Sequence, residues 1–319
     1  MNNILEEMIL KEMSTNTHAA DINEIYLAYY LAGGSWDIIG NKNDAKQILS
    51  LKEKQTPAQI VKERRVMAQC MASQVLSWAK LNGYVGSVQQ IWWTARPGVL
   101  AQAVEQEISR EAATIIDVLI DFGNKLFLGI SAKATLQSGD IPFRNPGFKT
   151  IQKSLNIDLF PIIQKFERDE IAKIPNIPMG LKLRKIYIRN NPDIQKKTQI
   201  IGANILMKLR NELLKKLQSL PQKEAKIHIA TIWLGSEKRF YPPYIKVTGH
   251  FKKDVCSADI FNPLKNSKTT LLQRNPISFV EVGVNSIGVL AGTHKIFKMR
   301  IKYESEFVGS GIKFSGDPW

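Results

Sequence analysis

Apolar and polar positions follow two rhythms along this chain, one helical and one strand-like. The run IYLAYYLA (residues 25–32) follows Asp21-Ile22-Asn23-Glu24 and stops at Gly33-Gly34. An aspartate with a glutamate three residues later is a helix N-cap pattern, and a glycine pair is a stop signal, so a helix is predicted to open at Asp21. A second helix is predicted from Thr56-Pro57-Ala58-Gln59 to about Asn82-Gly83, because a cap, a first-turn proline and a capping-box glutamine coincide there. Ile60, Met67, Met71, Val75 and Trp78 recur at steps of three, four and seven, one face of a helix, and are read as core.

The strand-like rhythm begins at SVQQIWWTA (87–95), β-branched and aromatic, after which Pro97-Gly98 opens a short helix. ATIIDVLIDF (113–122) and KLFLGISAKAT (125–135) flank Gly123-Asn124 and predict a β-hairpin. A loop punctuated by Gly139, Pro142, Pro146 and Gly147 follows. Beyond it the pattern predicts a long helix near 193–219 with its cations largely on one side. Strands are predicted at 226–235, 243–251, 277–284 and 294–305. A helical first part passing into a strand-rich last part implies a mixed α/β or α+β protein. The expected division is a core over 1–235 and a β-rich basic extension over 236–319. No Gly/Ser linker marks the boundary, and one continuous domain is the alternative.

Composition narrows the function classes. At 319 residues the chain can build one large domain or two ordinary ones. No apolar run reaches the roughly 18 residues of a membrane span, and MNNILEEMILKEM lacks the basic flank of a secretory signal. Cys70 and Cys256 lie far apart in sequence, which excludes a disulfide scaffold and a cysteine zinc site. His18, His228, His250 and His294 form no close metal-ligand pair. A cytoplasmic protein is expected. The net charge is +15, and its placement is more informative: residues 1–150 hold 15 Lys and Arg against 15 Asp and Glu, residues 151–319 hold 29 against 14. A basic excess gathered in one region attracts polyanions, nucleic acid being the commonest, although lysines also serve solubility alone.

The hairpin carries the candidate chemistry. Asp117 sits within an otherwise apolar strand, and Ser131 and Lys133 share one face of the next, with Ala132 opposite. A lone buried Asp or Lys is costly unless paired or bound to metal, so an acid and an amine brought together here form either a satisfied ion pair or a reactive site. IIDVLIDF, the turn and FLGISAKAT resemble the PD-(D/E)xK nuclease superfamily, the restriction-endonuclease-like enzymes. WWTARPG, GISAKAT and FRNPG together are similar to phage-encoded nucleases. The resemblance implies a core sheet flanked by helices, with a helix and a strand before the hairpin and a later helix and strand, here 193–219 and 226–235, completing it. It implies that Asp117 and the Ala132 carbonyl hold Mg2+, with Mn2+ able to substitute, and that Lys133 orients the attacking water.

The sequence departs from that pattern at Ser131, where the second acid is expected; a serine brings no negative charge. Glu24 on the N-terminal helix is the favoured substitute, although a helix-capping role explains it equally well. Asp140 in the following loop is a second candidate. Asp121 lies roughly 13 Å from Asp117 along a strand, too far to share one ion. Arg144 and Lys149 in the loop after the hairpin, and Arg96 after the WW strand, are candidate phosphate contacts or ordinary surface cations. Trp92 and Trp93 point to opposite faces, so at least one belongs to the core. Glu281, in FVEVG, is either structural or functional. The chain has no phosphate-binding loop, dinucleotide fingerprint, zinc-protease motif or nucleophile elbow. The expected function is Mg2+-dependent hydrolysis of duplex DNA, by a single chain or a homodimer. The alternative is a non-catalytic DNA-binding, packaging or structural phage protein with a degenerate nuclease fold, which Ser131 keeps open.

Overall fold

The computed structural model describes residues 18–108, 115–135, 144–178, 180–235, 241–252, 254–303, 308, 311–317 and 319. The protein is mixed α/β, with two sheets flanked by helices. It divides into two units: Met1–Ile141 with Lys238–Pro263, and Pro142–Glu237 with Leu264–Trp319. This differs from a single cut after residue 235. The chain leaves the first unit after the hairpin and returns to add two strands to the same sheet.

In the first unit, helix α1 spans 18–31. It is already formed at residue 18, so Asp21 lies inside it and the expected N-cap is corrected. The glycine stop is present: Gly33 and Gly34 take φ of 71° and 80°, and their N–H groups bond the Tyr30 and Tyr29 carbonyls at 3.0 Å each. Only glycine takes that backbone without strain. Helix α2, Lys42–Lys54, is not legible in the pattern because it buries only Ala45 and Leu49. Helix α3, Ala58–Leu81, buries Met67, Met71 and Val75 as the periodicity requires. Its N-cap is Pro57, with no side-chain cap bond, so Thr56 does not cap it.

The first sheet has the order β1 (Gln90–Trp93), β2 (Val118–Asp121), β3 (Phe127–Thr135), β4 (Tyr244–Lys252), β5 (Val255–Phe261). Helix α4, Val99–Val104, joins β1 to the segment before β2 and is six residues long. The β2–β3 hairpin pairs Val118 with Ile130 and Asp121 with Phe127. Strand β4 runs parallel to β3, and β5 antiparallel to β4. Helices α1–α3 contribute to one apolar cluster with Trp93, Val118, Ile120, Ile130, Ala132 and Val247. Leu100, Val104, Ile116, Leu119, Phe127 and Tyr244 form a second. Each fully buried aliphatic side chain among these contributes about 1.5–3 kcal/mol. Cys70 on α3 and Cys256 on β5, distant in sequence, are hydrogen-bonded neighbours in the fold, and both are free thiols.

The second unit holds helices α5 (Phe148–Leu155), α6 (Phe160–Asp169), α7 (Leu181–Arg189), α8 (Pro192–Gln218), α9 (Gln222–His228) and α10 (Ser267–Arg274). Its antiparallel sheet has the order β6 (Ile277–Val282), β7 (Ser286–Ala291), β8 (His294–Tyr303), β9 (Ile312–Asp317). The strand expected at 226–235 is corrected: α9 runs into a π-helical turn, Ile229–Leu234. Ala225, His228, Ile229 and Trp233 are buried at helical spacing, and that packing overrides the β preference of Ile and Thr. The later strand that completes the first sheet is therefore β4. On α8, the buried Arg210 pairs with Glu281 at 2.6 Å and donates to the Gly283 carbonyl, which gives Glu281 a structural partner. No helix among the described residues is long and apolar enough to cross a membrane.

Candidate active site

Asp117 occupies a bend immediately before β2 rather than the middle of a strand. Its backbone is clamped from both sides: its N–H donates to the Ile130 carbonyl at 2.8 Å, and its carbonyl accepts from the Thr94 N–H at 3.0 Å. The Thr94 hydroxyl donates to the preceding carbonyl, that of Ile116, at 2.7 Å. Across the hairpin, Asp117 Oδ2 accepts from the Ala132 N–H at 2.8 Å, and the Ser131 hydroxyl bonds the same carboxylate. Lys133 Nζ stands 3.9 Å from Asp117 Oδ2 with more than half of its side chain exposed. Gly129 permits this closeness, since a Cβ there would lie 2.6 Å from Ile116 Cδ1.

Glu24 reaches the site from α1. It is buried, 8% exposed, between Ile22 and Ile25, which fix the helix against the sheet. Its Oε2 accepts from the Trp93 indole N–H at 3.3 Å. The Asn41 side chain holds Trp93 in turn, donating to its carbonyl at 2.7 Å and accepting from its N–H at 3.2 Å. Trp93 is the fully buried member of its pair, while Trp92 is half-buried. Burial pushes the Glu24 carboxyl up to about 8, and the negative charge of Asp117 adds to that, against the Trp93 hydrogen bond and Lys133. Burial also raises the Asp117 carboxyl, opposed by Lys133, the Ala132 N–H and Ser131. Two buried carboxylates thus lie within each other's field, both held above their ordinary range.

Sequence reasoning takes Asp21 for a cap and misses its position. It lies one turn before Glu24, on the same helix face. Asp21 Oδ2 is 3.4 Å from Arg96 Nη2 and 3.8 Å from Lys52 Nζ. Trp93, Asn41 and Lys52 are also missed as site residues. The Asp21–Glu24 spacing is the available signal, but a capping box has the same spacing as two acids stacked on one helix face.

The other candidates fall elsewhere. Arg144 and Lys149 belong to the second unit, where Arg144 donates to the Thr231 carbonyl at 2.9 Å. Asp121 Oδ1 accepts from the Gly123 N–H at 2.7 Å and so caps the hairpin turn. Asp140 lies outside the described residues.

Glu24 and Asp117 offer hard oxygen donors of the kind Mg2+ takes. Ala132 can add its carbonyl: its N–H points to the β2 edge, and in an antiparallel ladder a residue's C=O lies on the edge of its N–H. Among the described residues no cluster of three or more Asp, Glu, His or Cys side chains assembles as a metal cage. Mg2+ needs no such cage, since one or two carboxylates completed by water and substrate phosphate suffice. No protein-family model matches this sequence, and no curated protein matches it.

Proposed function

We propose that this protein is a metal-dependent nuclease, related to the PD-(D/E)xK superfamily, that hydrolyses phosphodiester bonds in duplex DNA. The observation that carries the reading is Glu24. Where the family pattern has its second acid the chain has Ser131, and a buried carboxylate from α1 comes into the field of Asp117 instead. The buried Trp93 indole needs an acceptor, but a neutral one would serve it, whereas an acid buried here beside a second acid is costly unless a cation joins them. A divalent cation at this site would neutralise both acids, polarise the phosphodiester and acidify a water. Glu24, Asp117 and the Ala132 carbonyl would hold it. Asp117 is kept in place by its backbone clamp, and Ser131 orients its carboxylate. Lys133, exposed beside it, positions the attacking water and offsets negative charge growing on the phosphoryl oxygens. A helix and a strand ahead of the hairpin and a parallel strand after it, β4, accord with flanking elements the resemblance implies, while the expected later helix, α8, belongs to the second unit rather than to this sheet's unit.

Incubation of supercoiled plasmid with Mg2+ or Mn2+ tests this. The protein should cut, and Glu24→Gln should lose cleavage at limiting Mg2+ while its thermal midpoint holds, since the neutral amide matches the protonated carboxyl in size and adds no buried charge. Full activity in Glu24→Gln would return the missing acid to another residue. A wild-type protein that binds DNA and cuts none with either metal would make it the non-catalytic binding protein that Ser131 leaves open.

A further inference from the structure

Two cations of the first unit converge on a carboxylate that the reaction above does not use. Arg96 and Lys52 both approach Asp21 Oδ2, at 3.4 and 3.8 Å. These contacts are long for charge-assisted hydrogen bonds, which run nearer about 2.8 Å, so each cation is tethered rather than saturated. Two positive charges thus share one oxygen of a single carboxylate. The Arg96 guanidinium lies 4.6 Å over the Trp93 ring, and the same indole donates to Glu24. Arg96 therefore has its plane set by an aromatic face, its charge steadied by Asp21 and its position fixed next to the acid pair. Its side chain is 39% exposed, open to a ligand arriving from solvent.

We propose that Arg96 and Lys52 form a phosphate-binding subsite beside the Glu24–Asp117 pair and take a backbone phosphate of the nucleic-acid strand there, with Asp21 as the positioning residue. The place of this phosphate relative to the bond being cut rests on the nuclease reading, whereas the anion subsite itself does not. A stacked, planar guanidinium donates two parallel N–H bonds to a phosphate more readily than to a single carboxylate oxygen, and a lysine beside it adds a point charge. With both cations on its Oδ2, Asp21 has its negative charge offset and makes a weaker metal ligand than Glu24 or Asp117. In its absence Arg96 and Lys52 would repel each other and splay.

The test measures DNA affinity without metal across a salt series, with steady-state cleavage and thermal midpoints alongside. Arg96→Gln and Lys52→Gln should each weaken binding severalfold to tenfold and lower the slope of log affinity against log salt by about one. In cleavage they should raise KM more than they lower kcat. Arg96→Lys should keep the salt slope. Asp21→Asn removes a negative charge, so simple electrostatics predicts tighter binding and faster turnover. Positioning predicts instead that kcat/KM falls about tenfold while the Mn2+-induced rise in thermal midpoint remains. Unchanged affinity and salt slope in both Gln variants, with lowered thermal midpoints, would reduce the cluster to a structural brace and overturn the proposal. So would loss of the Mn2+ response in Asp21→Asn, which would make Asp21 a metal ligand. If the wild type cuts nothing, the nuclease reading fails while the affinity and salt-slope measurements still decide the subsite.

Discussion

Glu24 and Lys133 meet water on opposite terms, and their substitutions should therefore fail in different ways. Lys133 is exposed and 3.9 Å from its partner, so the ion pair contributes little to folding, under about 1 kcal/mol. Lys133→Ala should leave stability nearly unchanged yet lower kcat about a hundredfold or more, as loss of one charge-stabilising donor does. A matching loss of thermal stability would make Lys133 a structural residue. Glu24 is buried, and its folded-state pKa lies above the ordinary 4.5, near 8. Between those values the folded protein keeps a proton that the unfolded chain has released. The contribution of Glu24 to metal-free stability is thus full below about pH 4.5 and is lost as pH rises through the window. Mg2+ needs the ionised carboxylate, so the thermal shift it produces should grow from about pH 6 to about 8.5. Differential scanning at several pH values checks both statements. A Glu24→Gln variant with the same pH slope as wild type would contradict them.

At the scale of elements, the hairpin places the site, and Gly129 sets how closely it closes. Gly129→Ala should destabilise the protein by about 1–3 kcal/mol through the clash with Ile116 and should disturb the adjacent Asp117. Adding Ile116→Val, which removes the nearest clashing atom, should restore part of the stability, as a double-mutant cycle would report. The hairpin is legible in the sequence because alternation, turn residues and an out-of-place aspartate coincide over residues 113–135. Of the expected strand over 113–122, the described residues form a strand only at Val118–Asp121, since the bend at Asp117 carries no sequence mark. Strands β5, β7 and β9 are not legible in the same way: β5 mixes Ser, Asp and half-buried positions, β7 carries Gly288, and β9 ends in Ser-Gly-Asp. Residues 226–235 mislead because β-branched residues stand at helical spacing there, and only the tertiary packing distinguishes the two readings. Glu24 is a candidate from sequence alone, but its burial near Asp117 brings together residues 93 positions apart in the chain, which no local pattern encodes.

At the scale of the whole molecule, charge and chemistry are divided between the units. The first holds 18 Lys and Arg against 17 Asp and Glu, and the second 26 against 12, so nearly all of the net charge lies apart from the candidate site residues in the chain. Lys196, Lys197 and Lys208 are exposed on α8. Changing all three to Gln should weaken DNA binding and reduce its salt slope by about 0.9 for every phosphate no longer neutralised. The most direct measurement follows cleavage and DNA affinity together in two proteins, that triple variant and Asp117→Asn. Asp117→Asn should bind duplex DNA at least as tightly as wild type, having lost a negative charge, and should cut none with Mg2+. The triple variant should bind more weakly and cut at the wild-type rate once DNA is saturating. Cleavage by Asp117→Asn at the wild-type rate would contradict the account.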